Sequence, residues 1–179
     1  MSVWRVHSER TVYGNRWLTV NLADVELPDG RRLDHYVLRQ RPVAAAAIVD
    51  ESDRVLMLWR HRFIPDSWGW ELPAGVVDVG ETPVETAARE TEEETGWRPR
   101  DLRPLLRMHP AGGLSDCVHY VFWTRHAEHV GAAVDAHESE RVAWVPLAEV
   151  PTLLERGELR ESNAVAATLR LHLMMLAGR

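Results

Sequence analysis

Residues 82–96 constrain the fold more than any other stretch of this chain, because they carry a complete set of helix boundaries. Thr82 can cap the N-terminus, Pro83 takes the first helical position, Glu85 closes a capping box with Thr82, and Gly96 supplies the stop. The pattern predicts a helix over residues 83–95. Val84, Ala87, Ala88 and Thr91 recur at i, i+3, i+4 and i+7 and predict a narrow small-residue face suited to close packing on a sheet. Glu90, Glu93 and Glu94 fall at i, i+3 and i+4 on the other side, so three carboxylates crowd one patch where like charges repel.

Two arrangements can offset that repulsion. One is a solvated acidic face, the common fate of a glutamate run. The other is a hard-cation site, since Mg²⁺ and Mn²⁺ favour carboxylate and carbonyl oxygens. Composition bears on the choice. With 21 Lys and Arg against 27 Asp and Glu the formal net charge is -6, which excludes general electrostatic attraction to nucleic acid or an anionic membrane. An acidic protein that handles phosphates needs metal ions instead.

The rest of the chain reads as one α/β domain, with an N-terminal strand region over 1–40 and a core over 41–179. Residues 17–25 and 32–38, around the turn signal Pro28-Asp29-Gly30, predict an antiparallel hairpin. Residues 43–49 and 54–59, split by Asp50-Glu51-Ser52-Asp53, predict a second hairpin with a buried, Ala-rich first strand. Short strands are expected at 103–108, 118–125 and 141–145, and helices at 147–156 and 162–176. In the last helix Leu169, His172, Leu173 and Leu176 form a stripe expected to pack on a sheet. The single cysteine, Cys117, allows no internal disulfide and reads as a small buried residue. No stretch has the apolar length of a signal core or a membrane helix, so a cytoplasmic protein is expected.

The carboxylates stand in a longer pattern: Gly75, five residues, Glu81, seven residues, then Arg89-Glu90-Thr91-Glu92-Glu93-Glu94-Thr95-Gly96-Trp97. This resembles the Nudix box, with every Gly, Arg and Glu of the motif in place; Thr91 and Trp97 depart from it only at apolar positions. The resemblance implies a Nudix-type α/β/α sandwich with a mixed sheet, preceded by the N-terminal hairpin, and a divalent-metal-dependent pyrophosphohydrolase using Mg²⁺, or Mn²⁺ in its place. Carried onto these residues, Glu90, Glu93 and Glu94 become metal ligands, Arg89 orients a carboxylate, and Glu81 assists Arg89.

Glu71-Leu72-Pro73-Ala74-Gly75 resembles the matching stretch of the ADP-ribose pyrophosphatase branch. That likeness implies that the Ala74 carbonyl binds metal, and that Arg62 and Glu71 lie near the substrate. The branch also implies a homodimer whose exchanged N-terminal strands complete the pocket, making Trp17 the stacking candidate for a base. The acidic stretch 135–140 offers Glu138 or Glu140 as the base that activates water. The implied partner is a small nucleoside diphosphate derivative, ADP-ribose or a related nucleotide sugar, with no nucleic acid and no membrane. Hydrolysis of dinucleoside polyphosphates or oxidised nucleoside triphosphates, or a non-catalytic nucleotide-sensing module of the same fold, remain open alternatives.

Overall fold

The turn signal at Pro28-Asp29-Gly30 does close a hairpin in the computed structural model, which describes residues 3–135, 137 and 139–178. Strands β2 (Leu18–Glu26) and β3 (Arg32–Gln40) pair antiparallel, with the Leu27 N–H donating to the Arg31 carbonyl at 2.8 Å. The hairpin is extended to a three-stranded sheet by β1 (Arg5–Gly14), which pairs with β2. Every residue of β1 is solvent-exposed, so it leaves no apolar alternation to read, and polar pairs such as Arg39–Glu9 tie it across the sheet.

Residues up to Pro42 form one compact unit together with His109–Val118. In this unit the 109–118 segment docks on β3. The Leu38 N–H donates to the Leu114 carbonyl at 2.8 Å, and the Asp116 carboxylate accepts from the Gln40 N–H at 3.1 Å. Cys117 is buried, its thiol donating to the Arg41 carbonyl at 3.2 Å.

The second unit, Val43–Met108 with His119–Arg179, is organised by β4 (Val43–Ile48). In this strand Ala44, Ala45, Ala46 and Ala47 are fully buried, because both faces are covered. Ala45 and Ala47 join one core with Met57, Val121, Val150, Ala164, Ala167 and Leu171. Ala44, Ala46 and Ile48 join another with Leu56, Val77 and Ala87. The mixed sheet runs β7 (Ala74–Val76), β4, β10 (His119–Thr124) and β9 (Arg103–Met108), with β10 parallel to β4 and the other pairs antiparallel. A three-stranded sheet orders β12 (Arg141–Pro146), β5 (Arg54–Arg62) and β6 (Ser67–Glu71), and β8 (Trp97–Arg100) pairs with β11 (His126–His129). Helix α1 (Pro83–Thr95) packs on β4, β7 and β8, and α3 (Ser162–Leu176) on β4, β6, β9 and β10, with the short α2 (Val150–Glu155) beside it. This is the expected α/β/α arrangement.

Three local expectations are corrected. The runs expected as a second hairpin become β4 and β5 in different sheets, meeting at a Val49–Val55 bridge. Asp53 adopts a positive φ of 55° in the turn, and β5 leaves to pair with β6 and β12. On α1 the buried set is Thr86, Ala87, Thr91, Glu94 and Thr95, whereas Val84 is exposed. On α3 the buried set is Asn163, Ala164, Ala167, Thr168 and Leu171, and Leu173 and Leu176 face solvent. Small side chains let both helices approach β4 closely, so the bulkier stripe turns outward.

The close packing of β4 is testable. Ala46→Leu forces extra methylenes between β4 and α1 and should cost about 1–3 kcal/mol of stability, read as a lower midpoint in urea unfolding. An unchanged midpoint would show that this face has room to spare.

Candidate active site

Helix α1 is capped as its sequence requires. The Thr82 N–H donates to Glu85 at 2.8 Å, and Gly96 takes φ 74° with its N–H on the Glu92 carbonyl at 2.8 Å. The left-handed turn at Gly96 and the fixed N-terminus set the rotation of the helix, and with it the direction of its carboxylates. Thr91 and Thr95, buried against the sheet, satisfy their hydroxyls on the carbonyls of Ala87 (2.6 Å) and Thr91 (2.5 Å). A threonine is thus accommodated at the apolar place of the motif. Trp97 packs edge-on against Trp144, with ring centroids 5.1 Å apart.

Two arginines offset the repulsion of the patch. Arg89 forms a two-point pair with Glu81, at 2.9 Å from Nε and 3.0 Å from Nη2, and its Nη1 reaches both Glu90 and Glu93 at 2.8 Å. This pairing holds the Glu81 carboxyl down at about 2, and Glu81 also accepts from the Thr86 hydroxyl at 2.7 Å. Arg60, on β5, holds Glu94: Nη2 lies 2.5 Å from Oε1, with both side chains buried. The second Glu94 oxygen accepts the Ala74 N–H at 2.9 Å. Burial pushes the Glu94 carboxyl up despite Arg60, the desolvation outweighing the ion pair. Gly75 leaves the Glu90 side chain room to lie against the loop, because a Cβ there would fall 2.0 Å from Glu90 Oε1 and push that side chain aside.

Among the described residues no group of three or more His, Cys, Asp or Glu side chains converges as a ready-made metal cage. Four carboxylate oxygens of the box are instead hydrogen-bonded within the protein, Glu90 Oε1 and Glu93 Oε2 to Arg89 and the two oxygens of Glu94 to Arg60 and the Ala74 N–H. The donor set is still a cluster of hard oxygens on one helical turn, seated against a glycine that leaves them room, and it suits Mg²⁺ or Mn²⁺.

Beside Ala74 and Gly75 lies a cleft of about 290 Å³, lined also by Arg62, Glu71, His119, Glu161 and Asn163. Arg62 and Glu71 form a two-point pair on its wall, with Nη2 2.6 Å from Oε2, which raises the Arg62 pKa further. The structure therefore brings Arg62, Glu71 and Ala74 to one cleft, and Glu81, Arg89, Glu90, Glu93 and Glu94 to one network. The Ala74 N–H is held by Glu94.

The loop ahead of β12 is anchored on the same helix, since the Val134 and Asp135 N–H groups donate to the Glu93 carbonyl at 2.8 and 3.1 Å. Glu140 donates its own N–H to the Trp59 carbonyl at 2.9 Å and lines a recess with Trp59, Trp70, Arg141 and Glu158. Glu138 lies outside the described residues. Trp17 belongs to the N-terminal unit, just before β2 and over half exposed, with the Arg16 guanidinium 4.5 Å from its ring.

Sequence reasoning missed Arg60, Glu161 and the His119–Asn163 pair, whose Nδ1 and Oδ1 are 2.8 Å apart. For Arg60 a signal existed: it follows the apolar run Val55-Leu56-Met57-Leu58-Trp59, and a cation carried into a core by such a strand needs a buried carboxylate.

A helix that displays a carboxylate cluster beside a cleft holding an arginine suits chemistry on phosphate groups. Comparison with known proteins makes that specific. The NUDIX domain family matches residues 39–167, and the nucleoside diphosphate sugar hydrolase N-terminal domain matches residues 4–38. The chain belongs to the Nudix family and is a hydrolase acting on phosphorus-containing anhydrides, a class that uses divalent metal ions. It is 43% identical to the CMP-5'-(N-acetyl-N-hydroxy-3-aminopropyl)phosphonate hydrolase of Streptomyces rubellomurinus, over 93% of this chain and 81% of that protein. It is 31% identical to the ADP-ribose pyrophosphatase of Mycobacterium tuberculosis, over 92% of this chain and 81% of the relative. A crystal structure of an ADP compounds hydrolase shares the fold, with a TM-score of 0.82 over 98% of this chain and 95% of that one, at 23% identity. No helix among the described residues is long and apolar enough to cross a membrane.

The two ends of the patch should respond differently to mutation. Glu94→Gln breaks a buried ion pair and leaves Arg60 facing a neutral group, so it should cost about 3–5 kcal/mol in metal-free unfolding. Glu93→Gln, 35% exposed, should cost less than about 1 kcal/mol. Equal losses in the two variants would contradict this division.

Proposed function

We propose that this chain is a Mg²⁺-dependent pyrophosphohydrolase that cleaves the diphosphate linkage of a nucleoside diphosphate derivative, with ADP-ribose or a related nucleotide sugar as the first substrate to test. The observation that carries this reading is the unbroken set of box carboxylates, Glu90 and Glu93 on Arg89 and Glu94 on Arg60, beside the Arg62–Glu71 cleft. A non-catalytic sensing module has no need to keep every one of them.

In the proposed mechanism Glu90, Glu93 and Glu94, with the Ala74 carbonyl, would hold the ion. A divalent ion there would supply an acidified water and neutralise charge developing on the phosphoryl oxygens. Arg89, braced by Glu81, keeps Glu90 and Glu93 aimed at one point, so little reorganisation is needed when the ion binds. Arg62, held by Glu71, presents a guanidinium to a substrate phosphate. Glu138 and Glu140, in the acidic stretch 135–140, are the proposed bases. Trp17 is proposed to stack on the base in a homodimer, by likeness of the N-terminal segment to the nucleoside diphosphate sugar hydrolases. A cytoplasmic place of action completes the proposal.

A second substrate reading has its own support. The identity of 43% to a hydrolase of a CMP-5'-phosphonate compound exceeds the 31% to an ADP-ribose pyrophosphatase, which favours a cytidine nucleotide joined to an organic phosphonate. One screen decides: purified protein with Mg²⁺ against nucleotide sugars, a CMP-phosphonate and dinucleoside polyphosphates, with products identified by mass. Turnover should stop in excess chelator, and Glu93→Gln should lower kcat by at least ~10²-fold. Full activity in chelator would end the metal-dependent reading.

A further inference from the structure

Arg60 is the buried charge that the mechanism above does not use. It lies on β5 with its side chain 4% exposed, facing Glu94 at 3%. Burying a guanidinium is costly unless it is paired and hydrogen-bonded, and Arg60 has the third box carboxylate 2.5 Å away. Glu94 is held from both ends, by Arg60 on Oε1 and the Ala74 N–H on Oε2, so its orientation is set by the protein alone.

Arg60 and Arg89 differ in a way that matters to an incoming ion. Arg89 is 32% exposed and divides its donors among Glu81, Glu90 and Glu93, so water screens its charge and its side chain can adjust. Arg60 is walled in. Its strand is paired on both sides, by β6 and β12, and Arg60 itself stands opposite Gly69 in the ladder. Its side chain is 4% exposed, so water does little to screen it, and a buried cation close to a carboxylate weakens the pull of that carboxylate on any second cation.

We propose that Arg60 is a positioning residue that fixes Glu94 in place and sets the divalent-cation affinity of the box below what its carboxylates alone would give. This rests on the metal-dependent reading given above. Arg60 acts as a permanent counter-charge. It keeps the patch assembled without an ion, and it makes the bound ion exchangeable.

The test is Mn²⁺ binding by calorimetry to the 179-residue chain, as wild type, Arg60→Lys and Arg60→Gln. Arg60→Gln keeps a donor for Glu94 but removes the charge, and should bind Mn²⁺ at least roughly tenfold more tightly. Arg60→Lys keeps the charge and should stay within about twofold of wild type. Unchanged or weaker binding by Arg60→Gln, or a lysine variant as tight as the glutamine one, overturns the role of Arg60. If Arg60→Gln is unfolded in chelator, far-UV circular dichroism during a Mn²⁺ titration gives the answer. Recovery of the folded signal in millimolar Mn²⁺ supports the proposal, because an ion that binds only the folded state stabilises it, and no recovery overturns it. Absence of Mn²⁺ binding in the wild type would overturn the metal-dependent reading along with this one. Binding by the wild type with no gain in Arg60→Gln overturns this inference alone.

Discussion

Three carboxylates within one turn of helix repel, and the structure around α1 is arranged to contain that repulsion. Arg89 reaches Glu90 and Glu93 while leaning on Glu81, and Arg60 reaches Glu94 from a different sheet. Both clamps need backbone in particular places. Gly75 must be bare for Glu90 to lie against the loop, and Ala74 must present its N–H to Glu94. Even the loop leading toward β12 starts from this helix, through two N–H groups on the Glu93 carbonyl. The site is thus assembled by protein charges before any ion is considered, which is the preorganisation that electrostatic catalysis requires.

That assembly is possible because β4 is made almost wholly of alanine. Its even-numbered residues face α1 and its odd-numbered ones face α2 and α3, so one strand serves two cores. Small side chains bring α1 close to β4 and β7, and that closeness puts Glu90 within reach of Gly75. Larger residues on β4 would push the helix outward and pull the carboxylates from the loop.

The family and its central helix were legible in the sequence because their signal is local. Capping residues, helical spacing and the pattern from Gly75 to Trp97 sit within a short span, and the structure keeps the helix at the bounds they predict. What stayed hidden depends on distant partners. Arg60 and Glu94 are 34 residues apart, and His119 and Asn163 are 44 apart. Strand β1 escaped notice because all its residues are exposed, and the β4–β5 connection misled because proximity in sequence suggested pairing. On α3 the bulky stripe drew attention, yet small residues form the buried face because helix and sheet approach closely. Roles assigned by likeness, such as those of Trp17 and Glu140, have no local spacing signal behind them.

The central claim is that the clamped carboxylates of α1 hold the catalytic ion. Anomalous diffraction from crystals grown with Mn²⁺ tests it directly. The account predicts a peak bonded to the carboxylate oxygens of Glu90, Glu93 and Glu94, with Arg60 still paired to Glu94. A peak elsewhere, or box carboxylates that keep all their arginine pairs while Mn²⁺ binds at another site, would contradict it.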